Sequence, residues 1–175
     1  MTEFVDIVNE HDEIVGKASR HEVHEKNLLH RGVVVCVFNS NGELFVQLRS
    51  KNKDMFPDCH EASLSGHVLS GELPSHAAVR ELREELGINT TPSKLEEVLK
   101  FGIHESGERM WVTLFAFKDF HGEIKLDKDE VVKGEFWPMS KINIELEKKS
   151  AKLHPLFERV IAFLKDFKVN RRDFI

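Results

Sequence analysis

Cysteine is scarce in this chain: 175 residues contain two, Cys36 and Cys59. They show no paired metal spacing and are too few for a disulfide framework. Cys36, inside GVVVCVF, reads as a buried small hydrophobe. Cys59, in FPDCHEAS, falls in a polar loop with no Lys or Arg beside it to lower its pKa, and reads as an unreactive thiol. Long apolar runs are also missing, and none approaches the roughly 20 residues of a membrane span. The opening MTEFVDIVNEHDEIVG lacks the basic-then-apolar layout of a signal peptide, so a cytoplasmic location is the expectation. Positive charge is in deficit, with 25 Lys and Arg against 30 Asp and Glu. That balance argues against a general nucleic-acid binder, which needs a basic surface to displace counterions. It leaves phosphate substrates open, because a divalent cation reverses the sign of an acidic site. With no internal repeat and no low-complexity linker, residues 1–175 are expected to form a single domain, its core spanning about 28–165.

FVDIVN and EIVG flank NEHD and predict an N-terminal hairpin over 3–16. HRGVVVCVFN and ELFVQLRS are rich in β-branched and apolar residues, and the Asn39-Ser40-Asn41-Gly42 turn between them predicts an antiparallel hairpin. EASLSGHV is a shorter strand. A helix follows, opening at Pro74 and closing at Gly87, which tolerates a left-handed terminus. LEEVLKFGIHE and RMWVTLFAFKDF predict two more strands joined by a turn at Ser106-Gly107, and GEFWPMS another that Pro138 ends. SKINIELEKK and LHPLFERVIAFLKDF predict two C-terminal helices, the second with Leu156, Val160, Phe163 and Phe167 at helical spacing. Strands on both sides of a central helix imply an α/β or α+β sandwich.

The central helix carries the chemistry. At about 100° per residue, Glu81, Glu84 and Glu85 fall within one arc while Ala78, Val79, Leu82 and Leu86 occupy another. Like charges at this spacing repel, and Arg80, four residues before Glu84, can hold only part of the cluster. A hard divalent cation explains the convergence: carboxylates on one rigid element suit Mg²⁺ or Mn²⁺, which bridge to substrate phosphates.

The segment GHVLSGELPSHAAVRELREELGI resembles the Nudix box, G-x5-E-x7-R-E-U-x-E-E-x-G-U with U aliphatic. Gly66, Glu72, Arg80, Glu81, Leu82, Glu84, Glu85, Gly87 and Ile88 fill every position. The resemblance implies a Nudix fold, a mixed β-sheet sandwiched between helices, and hydrolysis of a diphosphate. It implies that Glu81, Glu84 and Glu85, with the Gly66 carbonyl, ligate Mg²⁺ or Mn²⁺, while Glu72 and Arg80 orient the loop. The proton-accepting carboxylate would be Glu85 or an acid outside the box: Glu105, Glu108, Glu130 or Glu135, with Glu108 at the head of a strand the first choice. Arg49, Lys51 and Lys53 in QLRSKNKD, together with His67, are the candidate substrate-binding residues. A homodimer is expected from family habit alone.

From VDIVNEHDEIVG to EASLSGHV the chain also resembles type I isopentenyl-diphosphate isomerases and isomerase-like Nudix proteins. In the isomerases, histidines near His24, His30 and His67 and acids from a later strand hold a separate metal beside a catalytic cysteine and glutamate. Here Ser65 stands where that cysteine belongs and Met110 where the glutamate belongs, and a hydroxyl of far higher pKa does not replace a thiol in proton transfer. No proline stands about fifteen residues past the box, where ADP-ribose hydrolases carry one; Gly102 does. The expectation is therefore a pyrophosphohydrolase acting on a small diphosphate, nucleoside or prenyl-like. An isomerase or a non-catalytic nucleotide sensor are the alternatives.

Overall fold

The computed structural model describes residues 2–53, 55–105, 107–149 and 151–170. Among these, no helix is long and apolar enough to cross a membrane. The expected strand pair exists as β3 (His30–Asn39) and β4 (Leu44–Arg49), with Gly42 in the connecting turn at φ 70°. The two strands meet at Phe38 and Leu44 and then part. β3 runs parallel to β8 (Glu108–Phe120), which pairs antiparallel with β7 (Glu96–Glu105). β4 pairs instead with β5 (His60–Ala62) and β9 (Val131–Trp137), both antiparallel. The strands join in a nine-stranded mixed sheet, the remaining members being β6 (Leu64–His67) and an N-terminal hairpin of β1 (Phe4–Val8) and β2 (Ile14–Ser19).

Helices cover both faces, which is why GVVVCVF reads as a continuous apolar run rather than an alternating one. Val33, Val35 and Val37 pack on one face against Ala77, Ala78, Leu82 and Leu86 of the central helix α2 (Pro74–Leu86). Val34, Cys36 and Phe38 pack on the other, against Ile142 of α3 (Met139–Lys148) and Phe157, Val160, Ile161 and Leu164 of α4 (Leu156–Asn170). This is the sandwich expected from the sequence. The helix α2 has the expected bounds. Gly87 closes it at φ 65° with its N–H on the Arg83 carbonyl at 3.1 Å and that of Ile88 on Leu82 at 3.0 Å, a left-handed terminus that favours glycine.

Three local readings need correction. EASLSGHV is not one strand: Ser63 sits at φ 53° and turns the chain from β5, on β4, to β6, on β3. The buried Ser63 hydroxyl donates to the Phe45 carbonyl and accepts from the Val37 amide, both at 2.8 Å, replacing lost ladder bonds. A short helix not expected from the sequence, Arg20–Glu25, follows β2; the Ser19 hydroxyl accepts the Glu22 amide at 3.2 Å, so the S-x-x-E spacing was its available signal. Cys59 lies in the loop before β5 as expected, but its side chain is turned inward at 1 % exposure, and its thiol donates to the Phe56 carbonyl. Burial pushes that thiol up to about 11, in keeping with an unreactive group. Of the turn expected at Ser106-Gly107, Ser106 lies outside the described residues.

Candidate active site

An open cavity of about 310 Å³ lies between α2, the ends of β6 and β8, and the segment after β4. Gly66, Glu81, Glu84 and Glu85 all line it, so the fold brings the expected cation ligands to one place. They differ in exposure. Glu85 is 3 % exposed, Glu81 is half-buried and Glu84 projects to solvent. The acidic arc is therefore not a uniform wet face; it runs from the core to the surface across the cavity wall.

Arg80 organises this wall. Its guanidinium donates to both oxygens of Glu72 at 3.1 Å, to Glu81 at 2.7 Å, to Glu84 at 3.1 Å and to the His67 carbonyl at 2.8 Å. Glu72 in turn accepts the Leu69 amide at 3.1 Å. One rigid fork thus ties the loop from Gly66 to Glu72 onto α2 and neutralises two of the three acids. A Cβ on Gly66 would lie 2.3 Å from the Glu81 carboxylate, so only glycine leaves room for that acid over the backbone. Three carboxylates and the backbone of Gly66 line one cavity, and oxygen donors of this kind are what hard divalent cations take.

Glu85 faces the sheet instead. Its Oε1 accepts from Lys53 Nζ at 2.8 Å and its Oε2 from Gln47 Nε2 at 3.0 Å. Gln47 also donates to the buried Glu61 at 2.7 Å, and Glu61 accepts from Arg49 at 2.7 Å and from the Ser65 hydroxyl at 2.9 Å. Lys53 pairs on its other side with Glu130.

This network revises the basic segment. Arg49 lines the cavity, but its guanidinium is committed to Glu61 and to the Met55 and Phe56 carbonyls at 3.0 and 3.1 Å, where it tethers the 50–58 loop. Lys51 is exposed and outside the cavity lining, whereas Lys53 reaches into it. Among the acids outside the box, Glu108 and Glu130 line the cavity. Glu135 lies elsewhere, accepting from Trp137 Nε1 at 2.8 Å and Lys141 at 2.7 Å, and the side chain of Glu105 lies outside the described residues. Gln47 and Glu61 were missed. Their signal was faint: a single amide inside the apolar FVQL, and an acid between His60 and Ala62.

Burial dominates the electrostatics. It raises Glu81 to about 7 against the opposing pull of Arg80, and raises Glu85 against Lys53. Glu108 is raised by burial too, with Arg49 and Arg20 as weaker opposing charges. Glu61 is also desolvated, but Arg49, His154 and Gln47 outweigh that and hold it low.

Beside the box loop, His24, His30 and His67 bring one ring nitrogen each within 4.8 Å of one another. His24 Nε2 and His67 Nε2 are 3.0 Å apart, and the rings of His30 and His67 stack at 5.1 Å. His30 is 1 % exposed and places Nδ1 on the Leu28 carbonyl at 2.9 Å. Its Nε2 is buried and has no hydrogen-bond partner among the described residues. With Nδ1–H donating to a carbonyl, Nε2 carries a lone pair, the arrangement of a metal-ligating imidazole. Desolvation lowers His30 to about 4 and His67 well below its usual value, keeping both neutral and competent as ligands.

Residues 28–159 match the family model described as NUDIX domain. The chain is 37% identical over 130 residues to the uncharacterized Nudix hydrolase YfcD of Escherichia coli K12, covering 74% of this chain and 71% of that protein. It is 33% identical over 154 residues to the uncharacterized Nudix hydrolase lmo0368 of Listeria monocytogenes, covering 87% and 88%. Among solved structures, DR0079 of Deinococcus radiodurans superposes with a TM-score of 0.75 at 24% identity, covering 91% of this chain and 98% of that one.

Proposed function

Because the chain belongs to the Nudix hydrolase family, we propose that it cleaves the diphosphate linkage of a small organic diphosphate, with Mg²⁺ or Mn²⁺ held by Glu81, Glu84, Glu85 and the Gly66 carbonyl. The observation that carries this reading is that these four residues line one cavity together with Lys53, whose ammonium rests on Glu85. When bound, the cation neutralises the diphosphate and activates a water for in-line displacement. The chain's own groups do the rest. Arg80 and Glu72 fix the ligand loop, Lys53 offers an ammonium to phosphate oxygens, and Glu108 or Glu85, both made more basic by burial, accepts the water's proton. The partner is a small diphosphate, nucleoside-linked or prenyl-like, with neither nucleic acid nor membrane involved.

A second feature favours kinship with the isomerase-like branch. The clustered ring nitrogens of His24, His30 and His67, with His30 Nε2 buried and lacking a partner among the described residues, support a further cation on three imidazoles, a softer set that suits Zn²⁺ or Fe²⁺. Isomerisation itself is disfavoured, because Ser65 spends its hydroxyl proton on Glu61 and Met110 has no proton to exchange.

Incubation with a panel of diphosphates and Mg²⁺ tests the reading. A hydrolase releases phosphate products, an isomerase incorporates deuterium from heavy water into isopentenyl diphosphate, and a sensor binds nucleotide and does neither. Metal analysis of the purified protein should find less bound transition metal in His24→Gln than in the wild type, and an equal content would remove the histidine site.

A further inference from the structure

Each acid of the proposed cation site already has a cationic partner from the protein, but the two partners are held very differently. Arg80 is locked by both Glu72 oxygens and the His67 carbonyl in addition to Glu81 and Glu84. It cannot leave without releasing the box loop. Among the described residues, the Lys53 ammonium rests on Glu85 and Glu130, at the end of a flexible arm. Glu85 is 3 % exposed, and a carboxylate so far from water needs a counter-charge. Among the described residues its other oxygen receives the neutral amide of Gln47. A divalent cation ligated by Glu85 and an ammonium on the same carboxylate repel strongly at contact distance.

We propose that Lys53 is a resident counter-ion, which neutralises Glu85 in the metal-free protein, is displaced when a divalent cation binds there, and turns from its Glu130 contact to meet the substrate diphosphate. This rests on the reading of Glu81, Glu84 and Glu85 as cation ligands. Cation uptake and anion affinity then become one coupled equilibrium: each ion removes a competitor of the other, and binding is cooperative in both directions.

The exchange is read in the wild-type protein by limited acylation of lysines at neutral pH, followed by mass spectrometry. Lys53 should label slowly without metal, at least about threefold faster with saturating Mg²⁺, and slowly again when methylenediphosphonate is added. Unchanged labelling at Lys53, while calorimetry records Mg²⁺ uptake, overturns the exchange and leaves the metal site standing. In a second measurement, Lys53→Met should bind Mn²⁺ alone about tenfold more tightly, yet bind methylenediphosphonate in the presence of Mn²⁺ more weakly. Equal or weaker Mn²⁺ affinity in Lys53→Met also overturns it. No Mn²⁺ uptake by either protein brings down the metal reading as well.

Discussion

Gln47 and Glu85 are joined across the interface of β4 and α2 by a 3.0 Å hydrogen bond, and the same amide nitrogen donates to Glu61 at 2.7 Å. A primary amide has two N–H groups, and here both serve carboxylates that would otherwise repel within the core. The amide orientation follows from this, since a flip would turn its oxygen toward two acids. The opposite oxygen is buried without a partner among the described residues.

Gln47→Leu should therefore leave two buried carboxylates each short of a donor. A loss of about 2–3 kcal/mol is expected in urea unfolding of the metal-free protein. A loss below about 0.5 kcal/mol would show that the amide does not bridge them.

Gly66→Ala places a methyl group 2.3 Å from the Glu81 carboxylate. The obstructed atoms are the far end of a side chain, so the fold should survive while Glu81 is pushed off its position. Mn²⁺ affinity measured by calorimetry should fall by about tenfold or more, with the melting temperature nearly unchanged. Wild-type affinity in this variant would mean that Glu81 is not required over Gly66.

Glu84→Gln and Glu85→Gln separate charge from burial. Glu84 is exposed, so its substitution should lower kcat by roughly 10² or more at little change in stability. Glu85→Gln should lower kcat as much and also disturb the metal-free fold, because it takes one of the two acids that hold Lys53 among the described residues. Near-normal turnover in either variant removes that residue from the site.

Glu81 and His30 give stability opposite responses to pH. Burial raises Glu81 to about 7, above its unfolded value of 4.5, so ionisation destabilises the metal-free fold and that penalty fades as pH falls from 7 to 4.5. Burial lowers His30 from 6.5 to about 4, so its contribution is complete above 6.5 and is lost as pH falls toward 4. Each effect is worth about 3 kcal/mol at most. In chelator, Glu81→Gln should exceed the wild type in stability near pH 8, and the gap should close by about pH 5. Mg²⁺ should narrow the gap near pH 8 by supplying the missing charge. Urea unfolding across this range checks all three statements, and a gap that widens on acidification would reverse the assignment.

What the sequence revealed was local. The box register, Pro74 and Gly87 lie within one helix and its flanks, and their spacing alone placed α2 and its acids. The strands were legible from composition, but their partners were not: nothing near HRGVVVCVFN indicates that it runs parallel to β8, or that Ser63 hands the chain from β4 to β3. For the same reason the tethering role of Arg49 left no mark on the basic segment. Arg49 looked available because its partners, Glu61 and two loop carbonyls, become neighbours only after β5 folds back on β4. Gln47 and Glu61 act across three elements and left almost no local trace.

The parallel pairing of β3 with β8 links His30 to Met110 and Val37 to Phe117, positions about eighty residues apart in the chain. During synthesis α2 emerges well before the strand that completes the sheet beneath it. Its apolar stripe can meet Val33, Val35 and Val37 of β3 earlier, but β3 then still lacks its long partner β8, and a nascent chain at that stage is exposed to misassociation. A message cut short before Phe117 would encode every letter of the acidic motif and yield no functioning centre.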